Sequence, residues 1–144
     1  MKHQLGRIVF ASIAAAFLPF ASPGAAQTIA VPAAALVVVD GDTVRLDGQR
    51  LRLLDIDAPE THQAHCSAER RAGKRARAAL TAALTEHDVT IVYSGRIDPF
   101  RRPLVHLFVD GADIGQGLLA AGLALPYVGG RAAHASRIAH WCGR

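Results

Sequence analysis

Six carboxylates, Asp40, Asp42, Asp47, Asp55, Asp57 and Glu60, crowd into the stretch between positions 40 and 60. Most lie in two short segments, Val39-Asp40-Gly41-Asp42-Thr43-Val44 and Arg52-Leu53-Leu54-Asp55-Ile56-Asp57-Ala58-Pro59-Glu60. Carboxylates that converge without compensation repel one another, which is why such clusters commonly hold a cation. Oxygen donors without Cys or His select a hard ion, Ca²⁺ or Mg²⁺. The same spacing also reads as solvated acids in Asp-Gly turns, and spacing alone does not separate the two readings.

Cys66 and Cys142 are the two cysteines. In an oxidising compartment they would form one disulfide closing a long loop. The alternatives are a reduced thiol pair, or a metal site with His62 and His65, although His62-x-x-His65-Cys66 is not a zinc-finger spacing.

These residues need elements to hold them, and the apolar pattern supplies them. Leu36 to Val39 is a β-branched run, Thr43 to Leu46 alternates as a half-buried strand does, and Gln49 to Ile56 returns after the Asp47-Gly48 turn. From Ser67, a possible cap, Ala72, Ala76, Leu80 and Leu84 recur at helical spacing, with Arg70, Lys74 and Arg77 on a face that reads as solvated. Strands over Val89 to Tyr93 and Leu104 to Val109 flank a polar loop, and helices are expected over Ile114 to Ala121 and Ala132 to Trp141. Short strands with a helix after the third and further helices at the end predict an α+β protein, mainly β: a five-stranded Greek-key barrel with about three helices.

The composition, 51% hydrophobic and 19% charged, is that of a globular chain of about one domain's length, and excludes disordered and collagen-like classes. Residues 1–26 carry two charges, Lys2 and Arg7, before an apolar run ending in small residues, the order of a signal peptide with cleavage near Ala26. The run is shorter than the ~20 residues of a membrane span, so no anchor is expected after cleavage. Residues 27–35 then read as a linker containing Pro32, and 36–144 as the domain. The remaining 14 basic and 12 acidic residues leave a net charge of +2, too mild to identify a nucleic-acid partner. A periplasmic or secreted monomer is expected.

Taken together and in order, Asp40-Gly41-Asp42-Thr43-Val44, Arg52-Leu53-Leu54 with Ile56-Asp57-Ala58-Pro59-Glu60, Asp98-x-x-x-Arg102 and Val109-Asp110-Gly111 closely resemble the staphylococcal nuclease family. The resemblance runs from about Leu36 to Tyr127 and implies an oligonucleotide-binding (OB) fold, a five-stranded barrel, carrying a calcium-dependent phosphodiesterase for DNA and RNA, single- or double-stranded. By position it implies that Asp42 and Asp57, with the backbone carbonyl of Ala58, hold Ca²⁺ (Mg²⁺ or Mn²⁺ being the alternatives), with Asp40 behind them. It likewise implies that Glu60 is the general base and that Arg52 and Arg102 grip the scissile phosphate.

These roles suit the chemistry. In-line hydrolysis needs a positioned water, a cation on a non-bridging oxygen and positive charge where the phosphorane becomes negative. The proposed contacts read phosphate and no base edge, so sequence specificity should be low.

One position departs from the family, which has Gly before the arginine in a Tyr-Gly-Arg turn. Here the segment is Phe100-Arg101-Arg102-Pro103, and a non-glycine residue at positive φ is strained, which predicts displacement of Arg102. A binding barrel without turnover is therefore the rival reading, and a calcium-stabilised envelope protein a third. Tyr93, Phe100 and Tyr127 are the aromatics available for stacking on bases, or for the core.

Overall fold

A computed structural model describes residues 27–85 and 87–143; the expected leader, residues 1–26, lies outside them. The described chain is an α+β fold in which a curled, open barrel-like sheet is closed off by three helices. The sheet is built from β1 (Thr28–Pro32), β2 (Leu36–Asp40), β3 (Thr43–Leu46), β4 (Gln49–Leu53), β6 (Asp88–Ile97), β7 (Pro103–Val109) and β8 (Ala112–Asp113). Its order is β1-β6-β7-β4-β3-β2, with β8 on β7; all pairs are antiparallel except β4 with β7. The short β5 (Ile56–Asp57) and β9 (Leu125–Pro126) pair separately. The helices are α1 (Ser67–Leu84), α2 (Ile114–Ala120) and α3 (Arg131–Cys142).

Alternation places the inward side chains in one core. Val44, Leu51, Val89, Ile91, Val105 and Leu107 are fully buried from the sheet, and Ala76 and Leu80 meet them from α1. The predicted strands and helices are present, with three differences. Residues 28–32, read as linker, form β1: Ile29 and Val31 are half-buried while their neighbours face solvent, and Pro32 sits at the strand's end, where its missing N–H costs no ladder bond. The strand expected over Gln49 to Ile56 is broken because Asp55 adopts φ 63°, turning β5 away to pair with β9. The cap of α1 is Cys66, whose Sγ accepts the Glu69 N–H at 3.3 Å, and not Ser67.

Cys66 and Cys142 are joined as a disulfide, fixing the start of α1 to the last residue of α3. The zinc alternative falls with it. Among the described residues, the one trio of ligand atoms within 4.8 Å is Cys66, Glu69 and Cys142, and its two sulfurs are bonded to each other.

Two glycines set how closely α1 approaches the acidic segments. A Cβ on Gly73 would lie 2.6 Å from the Pro59 carbonyl oxygen and 2.7 Å from that of Glu60, and one on Gly41 would lie 2.6 Å from Ala76 Cβ. Backbone oxygens cannot yield as a flexible side chain can, so Gly73→Ala must push α1 off the Pro59-Glu60 segment. The expected outcome is a loss of about 1–3 kcal/mol in denaturant unfolding. Gly117→Ala, on α2 with open space around it, should be neutral or slightly stabilising in the same measurement.

Candidate catalytic cleft

The acidic segments meet at one end of the sheet. Asp40 ends β2, Gly41 and Asp42 form the connection to β3, and the Asp42 carbonyl accepts the Leu53 N–H at 2.8 Å, tying that connection to the end of β4. Thr43 and Arg52 are cross-strand partners. Asp57 closes β5, and Ala58, Pro59 and Glu60 follow it under α1. All seven residues singled out by the resemblance, Asp40, Asp42, Arg52, Asp57, Ala58, Glu60 and Arg102, line one cleft of about 1180 Å³. Small-molecule pockets run to about 1,000 Å³, so the space suits a longer ligand.

At its centre the charges alternate. Arg52 Nη1 lies 3.0 Å from Asp42 Oδ2, and Arg52 Nη2 donates to Asp57 Oδ1. Asp57 Oδ2 in turn lies 2.5 Å from Arg137 Nε on α3. That last contact is an ion pair without hydrogen-bond alignment, since Nε has no hydrogen-bond acceptor among the described residues. Arg137 Nη1 donates to the Val128 carbonyl at 2.8 Å, and Arg52 and Arg137 both pack against Tyr127, 5.7 and 5.4 Å from its ring centre.

Asp42 is 5% exposed and also accepts from Thr43 Oγ1 at 2.8 Å and the Ala58 N–H at 3.1 Å. Burial still outweighs Arg52 and these donors and raises its pKa above the ordinary 3.8. Burial opposes the charge on Arg52 as well, but Asp42 and Asp57 overcome it and hold the guanidinium protonated. Glu60 sits on the exposed rim, with no side-chain hydrogen bond or ion pair among the described residues. Its pKa is raised first by the protein atoms around the carboxyl, then by the charges of Asp42, Asp40 and Asp57. Asp40 accepts from Thr61 Oγ1.

The fourth wall is the β6–β7 turn. Arg101 takes φ 63°, the conformation a glycine would supply, and the turn closes around it: Arg101 N–H donates to the Asp98 carbonyl, and Asp98 N–H to that of Arg102, each at 2.9 Å. Asp98 Oδ1 accepts the N–H groups of Phe100 and Arg102, while Oδ2 receives Arg102 Nε at 2.6 Å. Burial works against the Asp98 charge, but these donors hold its carboxyl below the usual range. Arg102, for which the missing glycine predicts displacement, lines the cleft wall, and Arg101 takes the positive φ of the turn.

Spacing alone left out two residues of this site. Arg137 is the buried residue of α3, between half-buried Ala133 and Trp141 at helical spacing, and a charge in that stripe was its only signal. Glu69, 3% exposed, accepts the His65 N–H at 2.6 Å and the Glu60 N–H at 3.5 Å, linking α1 to the Glu60 segment; no motif marked it.

Because Asp42 has a higher pKa folded than unfolded, the native state binds the extra proton, and stability contributed by this group falls as pH rises through that interval. Asp42→Asn keeps the acceptor for Arg52 and Ala58 and turns a donor toward Thr43. It should therefore melt at a higher temperature than the parent at neutral pH, the advantage shrinking as pH falls through the raised Asp42 pKa. Thermal melts of both proteins across pH check this.

The sequence profile of the staphylococcal nuclease homologue family matches residues 50–140. The chain is also similar to a protein named succinoglycan biosynthesis protein ExoI, from Rhizobium meliloti (strain 1021), with 36% identity over 120 residues. That alignment covers 79% of this chain and 60% of the relative, so the chain spans well under two thirds of the relative's length. With more than half its length matched and the barrel-like fold in place, this chain belongs to the staphylococcal nuclease homologue family.

Proposed function

We propose that the protein is a calcium-dependent phosphodiesterase hydrolysing DNA and RNA with low sequence specificity. The observation that carries this reading is Glu60: a rim carboxylate without a protein partner among the described residues, its pKa raised, in the same cleft as Arg52 and Arg102. A base must be free to meet a water, and a raised pKa strengthens its hold on the proton it takes.

The donor chemistry fits a hard cation. Asp42 and Asp57 supply carboxylates and Ala58 a carbonyl, all oxygen, and Asp42 remains under-neutralised even with Arg52 beside it. Asp40, held by Thr61, adds negative charge behind them. When bound, the cation would withdraw charge from a non-bridging phosphate oxygen. Glu60 takes a proton from the attacking water as the water oxygen bonds phosphorus and the bond to the leaving ribose oxygen breaks. Arg52 and Arg102 receive the charge that builds on the phosphoryl oxygens, their planar forks matching two oxygens at once.

Arg52 is shared between Asp42 and Asp57, the carboxylates that would hold the cation, so phosphate competes with both for its donors. The disulfide supports an extracytoplasmic location, and no described helix is long and apolar enough to cross a membrane. The rival reading, binding without turnover, rested on Arg101; the closed turn that keeps Arg102 on the cleft wall weighs against it.

Single-stranded DNA should be cleaved with millimolar Ca²⁺ and left intact with chelator. Glu60→Gln and Arg102→Ala should each lower turnover by about 10² or more. Binding without cleavage across metals and pH would replace this reading with its rival. Glu60 must be deprotonated to act, so kcat/KM should fall as pH drops through its pKa, with the acid limb centred above the ordinary glutamate value of 4.5. In Glu60→Asp that limb should move, whereas in Arg102→Ala it should stay.

A further inference from the structure

Like charges directly opposite one another on a sheet destabilise it. Arg45 on β3 and Arg50 on β4 are such a pair, in register across the two strands. Strand parity fixes where they point. Leu51 and Leu53 face the core, so Arg50 and Arg52, which alternate with them, share the outer face, and Arg45 joins them there through its pairing. Both line the same cleft as Arg52, one step of the pleat farther out, about 7 Å along the strand. Arg96, near the end of β6, lines it too. None of the three side chains has an ion-pair partner among the described residues.

Apolar surface is distributed with them. Of the large exposed hydrophobic residues, Val37 (55% exposed), Ile97 (67%) and Phe100 (78%) line this end of the cleft, and Val37 is the cross-strand partner of Arg45. Cations accompanied by exposed apolar side chains, one of them the aromatic ring of Phe100, make a surface for an unpaired polynucleotide, with phosphates on the arginines, a base on the ring and sugars against the aliphatic groups. A duplex keeps its bases stacked inside and has no use for the apolar part.

We propose that Arg45, Arg50 and Arg96, with Val37 and Ile97, form a subsite for the nucleotides flanking the scissile phosphate, so that the cleft takes a single strand along the outer face of the β3–β4 hairpin. This deepens the proposed function and rests on it for the identity of the strand. It also explains the Arg45–Arg50 repulsion: the pair is held apart from acids so that it is available to phosphate.

The test is binding of fluorescent single-stranded DNA to the Glu60→Gln protein over a salt series, with and without Arg45→Gln/Arg50→Gln. The expected result for a twelve-nucleotide strand is an affinity lower by about tenfold or more, and a log–log salt slope shallower by about 1.4, the release of two counterion equivalents. Competition by a dinucleotide should be unchanged, and the double variant should melt at the same or a higher temperature. Equal losses for the long and short ligands, no loss for either, or a lower melting temperature would overturn the proposal. So would a polyuronate that binds as tightly as the DNA with the same dependence on the two arginines, which would make the groove a polysaccharide site. If the chain with Glu60 intact fails to cleave a strand whose binding still depends on Arg45 and Arg50, the nuclease reading falls while the strand path stands.

Discussion

The buried carboxylate of Asp42 constrains everything around it. A charge at 5% exposure persists only if donors surround it, and each donor comes from a different part of the chain: Thr43 from β3, Arg52 from β4, the Ala58 N–H from the segment after β5. Those three can meet only when the hairpin is in register and Asp55 has turned β5 out of the sheet. Arg52 then carries the constraint to Asp57, and Asp57 carries it to Arg137 on α3. The result is a line of alternating charge running from the sheet to the last helix. Removing Arg52 would leave Asp42 buried and uncompensated, which costs more than the pair contributes when intact.

Helix packing supports the same point from the other side. Gly41 and Gly73 let α1 sit against the acidic connection and against the Pro59 and Glu60 carbonyls, and buried Glu69 accepts from the Glu60 N–H. The Glu60 backbone is thereby pinned while its side chain is left at the rim. The disulfide fixes α3 to the beginning of α1, so the helix bearing Arg137 and the helix bracing Glu60 form one support. A flexible helix end would leave Asp57 with one guanidinium in place of two.

The order of strands and helices was legible because period-2 and period-3.6 patterns are local, and the acidic motifs were legible because their members are close in sequence. What could not be read depends on long-range contact. Thr28–Pro32 joins β6 through backbone bonds that any sequence with half-buried Ile29 and Val31 could make, and a proline near its end argued against a strand. Arg137 looks, in sequence, like one more basic residue of a basic chain; only the fold shows that it is itself buried and reaches Asp57. Arg101 is a mixed case. The local rule about glycine marked the position that takes φ 63°, but the hydrogen bonds by which Asp98 holds the turn there could not be read from it.

These departures from locally favourable structure share a location. A buried acid with a raised pKa, an arginine in the left-handed region and two arginines opposed across a hairpin each cost stability in the free protein, and all of them line or border one cleft. Away from it the core aliphatic side chains are fully buried and α1 is capped, and the non-glycine residues at positive φ, Asp47 and Asp110, sit in tight Asp-Gly turns where aspartate tolerates that conformation. Costs concentrated at one place are expected where groups are arranged for a ligand and not for the fold. The signs of the charges suit the proposed function. Acids at the floor would take a cation and arginines along the wall an anion, so a polyanion bound through a metal, as proposed, would satisfy both at once.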